Sequence, residues 1–278
     1  MKSIFILFII CSFCLSSCEA KTPDNSGFDN ILNKDDDKTP AIDLSKANGY
    51  KRFFCYNVKH FGGMDETIDY NRVASVIKPF DPDFIALQEL DSATTRSNME
   101  NQIAILGDKL GMYSYFAGTI PYRGGKYGIG LLAKEPALKT YAYELPGTEK
   151  RKFIIAEYAD FLIICTHLDL TESARIESAI IISDIVGKFN KKAYLAGDLN
   201  EVKLDGPMFT EFKKNWKIVS PIKNTFPTNP SPNRCIDFIL SFNAGGNYDI
   251  SKGDVLYQLS TVNVSSASDH FPLFIDFK

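Results

Sequence analysis

Short apolar runs recur from Tyr50 onward, and several of them end in a polar residue or pair. Lys51–Asn57 predicts a first strand and Phe84–Gln88 a short buried one. Further strands are expected at Tyr113–Ala117, Gly128–Ala133, Phe153–Glu157, Phe161–Thr166, Ala193–Ala196, Ile236–Phe242 and Leu273–Phe277. Ile68, Val73, Val76 and Ile77 recur at helical spacing, and Pro79 ends that helix. Ser97 and Glu100 stand at capping-box spacing and open a helix that runs through Leu110 and closes at Gly111. Thr171-Glu172 caps a helix reaching about Phe189, with Ala174, Ala179, Ile182, Ile185 and Val186 near its inner face. Pro207 sits in the first turn of another. Thr225 to Asn233 is a Pro-rich loop. No repeat and no second linker interrupts residues 50–278, so the pattern predicts one domain of mixed sheets with helices outside, in the α/β class.

The amino terminus follows different rules. Lys2 precedes an apolar stretch, Ile4 to Leu15, that is too short to span a bilayer. Leu15-Ser16-Ser17-Cys18 resembles a bacterial lipobox. That resemblance implies a signal peptide over 1–17, a lipidated Cys18, and membrane attachment in the cell envelope without a spanning helix. Residues 19–49 carry seven acids against four bases, with the run Lys34-Asp-Asp-Asp-Lys38, and are expected to form a solvated tether over 18–49. The whole chain has a net charge of −3, so the remaining domain is close to neutral and lacks the basic surplus of a sequence-blind DNA binder.

Three of the six cysteines lie in the leader. Cys55, Cys165 and Cys235 remain, each in an apolar run, and are expected as buried free thiols; a Cys55–Cys165 bridge stays open. The three histidines, His60, His167 and His270, lie far apart, so no Cys/His zinc spacing exists.

The polar ends of the runs carry the chemistry. Glu89, Asp198, Asp237 and Asp269 supply carboxylates, Asn57 and Asn200 amides, and His167 and His270 imidazoles. Phosphate-ester hydrolysis needs charge neutralised on phosphoryl oxygens, a water oriented and deprotonated, and a leaving oxygen stabilised. A hard divalent cation held by one or two carboxylates does the first of these.

The ordered set Tyr56-Asn57-Val58, Leu87-Gln88-Glu89, Thr166-His167-Leu168, Gly197-Asp198-Leu199-Asn200, Ile236-Asp237-Phe238 and Ser268-Asp269-His270 resembles the endonuclease/exonuclease/phosphatase superfamily of DNase I-like proteins. The resemblance covers nearly all of residues 51–278. It implies a four-layer sandwich, two mixed β-sheets face to face with helices outside. It implies Mg²⁺, with Mn²⁺ or Ca²⁺ as alternatives, on Glu89 with Asn57 and Asp269 close by. It makes Asp237–His270 a carboxylate–imidazole pair that handles the proton of the attacking water. Asp198 would orient that water, and Asn200 and His167 would contact the phosphate. Arg96 is a further candidate for a substrate phosphate. His60 is expected to be structural, and Arg151 to pair with Glu149. Tyr194-Leu-Ala-Gly-Asp-Leu-Asn-Glu201 and Cys235-Ile-Asp237-Phe depart from the inositol phosphatase versions of these motifs. The expected activity is a metal-dependent phosphodiesterase or phosphatase, acting as a monomer outside the cytoplasm. Its substrate would be a lipid headgroup, a small molecule or a nucleic acid. The alternatives are a DNase I-like extracellular endonuclease and a binding protein on the same fold without catalysis.

Overall fold

A computed structural model of the protein describes residues 43–242 and 249–278. The expected signal peptide, Cys18 and most of the tether lie outside those residues. In chain order the elements are β1 (Lys51–Asn57), α1 (Tyr70–Ile77), β2 (Phe84–Ser92), α2 (Gln102–Leu110), β3 (Tyr113–Tyr122), β4 (Gly125–Ala133), β5 (Lys139–Leu145) and β6 (Arg151–Glu157). There follow β7 (Phe161–His167), α3 (Glu172–Gly187), β8 (Lys192–Asp198), α4 (Pro207–Phe212), β9 (Trp216–Ile218), β10 (Asp237–Phe242), β11 (Ile250–Val255) and β12 (Leu273–Phe277). The strands form two mixed six-stranded sheets, ordered β11-β12-β1-β2-β4-β3 and β5-β6-β7-β8-β10-β9. The sandwich expected from the resemblance is the fold observed.

Side-chain alternation explains why the central strands are apolar on both faces. In β7, Ile163 and Cys165 join the core between the sheets, while Leu162 and Ile164 pack with Ile182 and Val186 of α3. In β8, Tyr194 and Ala196 turn to the middle, and Ala193 and Leu195 to the helices. Along each strand, Asn57 shares its parity with Cys55, His167 with Cys165, Asp198 with Ala196, and Asp237 with Ile239. These polar residues are therefore the top course of the inter-sheet core, at the end where it meets solvent.

The expected capping box is displaced. Ser97 lies in a short 3-10 turn after Thr94, and the true N-cap of α2 is Asn101, whose side chain accepts from the Ala104 amide. The expected disulfide alternative also gives way, because Cys55 and Cys165 are both free. Residues 43–49, assigned to the tether from composition, pack onto the domain.

Their anchor is Arg52 at the far end of β1. All five guanidinium N–H groups are used. Nε and Nη2 donate to the two oxygens of Asp276 at 2.6 and 2.7 Å, Nη1 to the carbonyls of Phe80 and Leu44, and Nη2 also to that of Ser45. The group is fully buried over the Phe274 ring. Arg52→Ala strands the Asp276 carboxylate, and removal of one partner from a buried pair costs about 3–5 kcal/mol. Urea unfolding of this variant should show a loss of that size without a change in m-value.

Candidate active site

Glu89 reaches the site through a break in its strand. Leu87 pairs with Gly130 and Leu90 with Gly128, so Gln88 and Glu89 together oppose one residue. Glu89 takes a φ of 59° at this bulge. Without the extra residue, strict alternation after Gln88 would send Glu89 to the helix-covered face; a bulge re-aims the side chain. Its Oε1 then accepts from Asn57 Nδ2 at 3.1 Å.

Asn57 is the hub. The same Nδ2 lies 3.3 Å from Asp198 Oδ2 and 3.4 Å from His270 Nε2. His270 Nδ1 meets Asp237 Oδ2 at 2.8 Å, and Thr225 Oγ1 donates to that same oxygen at 2.5 Å. Asp237 fixes which imidazole nitrogen faces the cleft: Nε2, 3.7 Å from Asp198 Oδ2. His167 Nε2 also lies close to Asp198 Oδ2, at 3.5 Å. Arg151 Nη1 lies 3.3 Å from His167 Nδ1. A guanidinium can only donate, so Nδ1 accepts and Nε2–H points at Asp198.

Electrostatics follow from this crowding. Burial, then the Arg151 and His270 charges, hold the His167 imidazole well below its usual range, so it is neutral. Burial also opposes charge on His270, but the Asp237, Asp198 and Asp269 carboxylates outweigh it and raise the imidazolium to about 10. Burial and the nearby Asp237 push Asp198 up to about 7. Burial raises Glu89 as well, and the Asp269 charge adds to it.

Most predicted site residues converge here: Asn57, Glu89, His167, Asp198, Asp237 and His270. Asp269 is half-buried beside them, next to Ser268, whose hydroxyl donates to the Asn57 carbonyl at 2.7 Å. Asn200 holds Asp198 through its backbone N–H to Oδ1, and one of its amide hydrogens is spent on the Leu168 carbonyl. Arg96 does not join the cluster: it makes a two-pronged pair with Asp91 at 2.8 Å and lies over the Tyr122 ring. Three contributors escaped the sequence reading. Arg151 pairs with Glu149 as expected, yet also orients His167. Thr225 seats Asp237, and Phe226 packs on the His270 ring with centroids 4.7 Å apart. Only the strand-opening position of Arg151 and the Thr-Phe-Pro start of the loop could have flagged them.

Asp198, Asp237 and His270 offer ligand atoms within 4.8 Å of one another. The two carboxylates face opposite nitrogens of one ring, however, which suits proton handling better than chelation. Among the carboxylates, Glu89 feels the charge of Asp269, and Asp198 that of Glu89. A hard divalent ion takes oxygen donors of this kind, and its charge would relieve the repulsion among them.

The profile of the endonuclease/exonuclease/phosphatase family matches residues 55–270. The chain belongs to this family. Family members are hydrolases that act on phosphate esters, and the family is generally dependent on divalent metals. No curated protein matches the chain. Among solved structures, a mannosyl-6-phosphatase of Bacteroides thetaiotaomicron VPI-5482 superposes with a TM-score of 0.66 at 17% identity, over 82% of this chain and 99% of that one. A family member from Beutenbergia cavernae DSM 12333 gives 0.64 at 20% identity, over 82% and 71%. The human Nocturnin catalytic domain with bound sulfate gives 0.61 at 17%, over 82% and 93%. At such identities the likeness is one of fold.

Proposed function

We propose that this chain is a divalent-cation-dependent phosphoric ester hydrolase that works outside the cytoplasm, on small or lipid-linked phosphate esters. One observation carries the reading: the Asn57 amide nitrogen lies 3.1 Å from Glu89, 3.3 Å from Asp198 and 3.4 Å from His270, so one side chain brings all three together. Glu89, with Asn57 and Asp269, would hold Mg²⁺. Bound there, the ion supplies positive charge to the phosphoryl oxygens. The remaining work belongs to side chains. Asp198 Oδ2 and His270 Nε2 face each other where an attacking water must give up its proton, and Asp237 keeps the ring turned that way. His167, neutral and held by Arg151, presents Nε2–H toward the same space.

The rim favours an anionic substrate. Arg234 is exposed and stacks on Phe226, the ring that covers His270, and it has no ion-pair partner among the described residues. Near-neutral overall charge and the leader with Cys18 support a small or membrane-associated ester over a long nucleic acid.

The test is hydrolysis of bis-p-nitrophenyl phosphate and p-nitrophenyl phosphate with Mg²⁺ and with EDTA. Turnover present with Mg²⁺ and abolished by EDTA is expected. Absence of any metal-dependent turnover would favour a binding protein instead. Parallel assays on plasmid DNA, sphingomyelin, inositol phosphates and sugar phosphates then rank the esters. Plasmid nicking that weakens steeply with salt would move the assignment to an endonuclease.

A further inference from the structure

We propose that Gln88 is a positioning residue that locks the bulge presenting Glu89, by bridging two free thiols from opposite sheets. The inference rests on the reading of Glu89 as the cation carboxylate. Gln88 is fully buried. Cys55 of β1 donates its S–H to Gln88 Oε1 at 3.7 Å, Gln88 Nε2 donates to Cys165 Sγ of β7 at 3.3 Å, and Cys165 donates in turn to the Leu87 carbonyl at 3.4 Å. Each bond fixes the direction of the next, so the amide has one orientation. Its backbone is held too, since the Val58 N–H donates to the Gln88 carbonyl at 3.2 Å.

The neighbour explains the need. Glu89 is a non-glycine residue in the left-handed region, inside a strand. Such a conformation persists only where the surroundings over-determine it. An apolar side chain at position 88 would fill the same space but could not fix the rotation of the peptide that leads into Glu89. The Cys–Gln–Cys bridge does so from both sheets, one residue before the carboxylate. It also gives the two thiols a role as hydrogen-bonding partners, beyond that of small apolar fillers.

The experiment uses the full chain. Gln88→Met keeps length and burial and removes both amide bonds; Cys165→Val leaves Gln88 in place without its acceptor. Hydrogen exchange of the segment 84–92 is followed in EDTA. The half-saturating Mg²⁺ concentration is measured from the rise in melting temperature. The expected result for Gln88→Met is faster exchange confined to 84–92 and at least a tenfold higher half-saturating Mg²⁺. Cys165→Val should show a smaller change in the same direction. Unchanged exchange in that segment overturns the proposal. So does an unchanged Mg²⁺ requirement beside a melting temperature lowered in EDTA, which would make Gln88 a packing residue. If Gln88→Met fails to fold, Cys165→Val decides on the same criteria. A wild-type protein with no Mg²⁺ response would sink the cation reading of Glu89, and exchange at 84–92 would then judge the bridge alone.

Discussion

Glu89→Gln should abolish Mg²⁺-dependent hydrolysis and leave the fold intact. The substitution preserves shape, and the new amide oxygen can still accept from Asn57 Nδ2, as the carboxylate Oε1 does at 3.1 Å. What it removes is charge. In the absence of a cation, burial and the neighbouring Asp269 both disfavour an ionised Glu89. The variant is therefore expected to melt in EDTA at or above the wild-type temperature. Added Mg²⁺, which should raise the wild-type melting temperature, should no longer do so. Turnover of bis-p-nitrophenyl phosphate should fall to the EDTA background. Near-native turnover in this variant would remove Glu89 from the cation site and take the bulge's purpose with it.

His270→Ala should lower kcat by roughly 10²–10⁴-fold, the usual range for losing a positioned acid or base. The geometry makes the effect specific. Asp237 Oδ2 would keep only Thr225 as donor, Oδ1 already lacks a hydrogen-bond partner, and Asp198 would lose one of the two imidazole nitrogens that face it. A loss of packing against Phe226 is a separate matter, and the melting temperature reports it. The pH–rate profile distinguishes the two: a proton-handling His270 takes one limb of the profile with it. A variant with an unaltered profile and a rate within tenfold of wild type would assign His270 to packing.

The site was legible in the sequence because its members sit where buried runs stop. Asn57, His167 and Asp198 each close a strand, and Asp237 opens one. The strands that pattern missed share a different property. β5, β9 and β11 are all outermost in their sheets; β5 exposes much of its length and β11 is largely half-buried. Edge strands need no continuous apolar run, and in Lys139-Thr-Tyr-Ala-Tyr-Glu-Leu145 the only signal is the alternation of Tyr141, Tyr143 and Leu145 on one face. The bulge at Gln88-Glu89 was hidden for another reason. It exists only in the pairing of β2 with β4, and no local signal in Leu87-Gln88-Glu89-Leu90 encodes it. Arg151 and Thr225 act through partners on other elements, 16 and 12 residues away in sequence. Charge type alone offered Arg96 to a phosphate, but Asp91, five residues away, had the better geometry.

Arg52 has a consequence for handling the protein. It sits at the foot of β1, with Leu44, Ser45 and Asp276 gathered around it, while Asn57 stands at the top of the same strand. The Lys278 side chain lies near Gly49, at that same foot. A support gripping the molecule at Asp43 or Lys278 would thus leave the candidate site pointing away from it, open to whatever arrives from the opposite side.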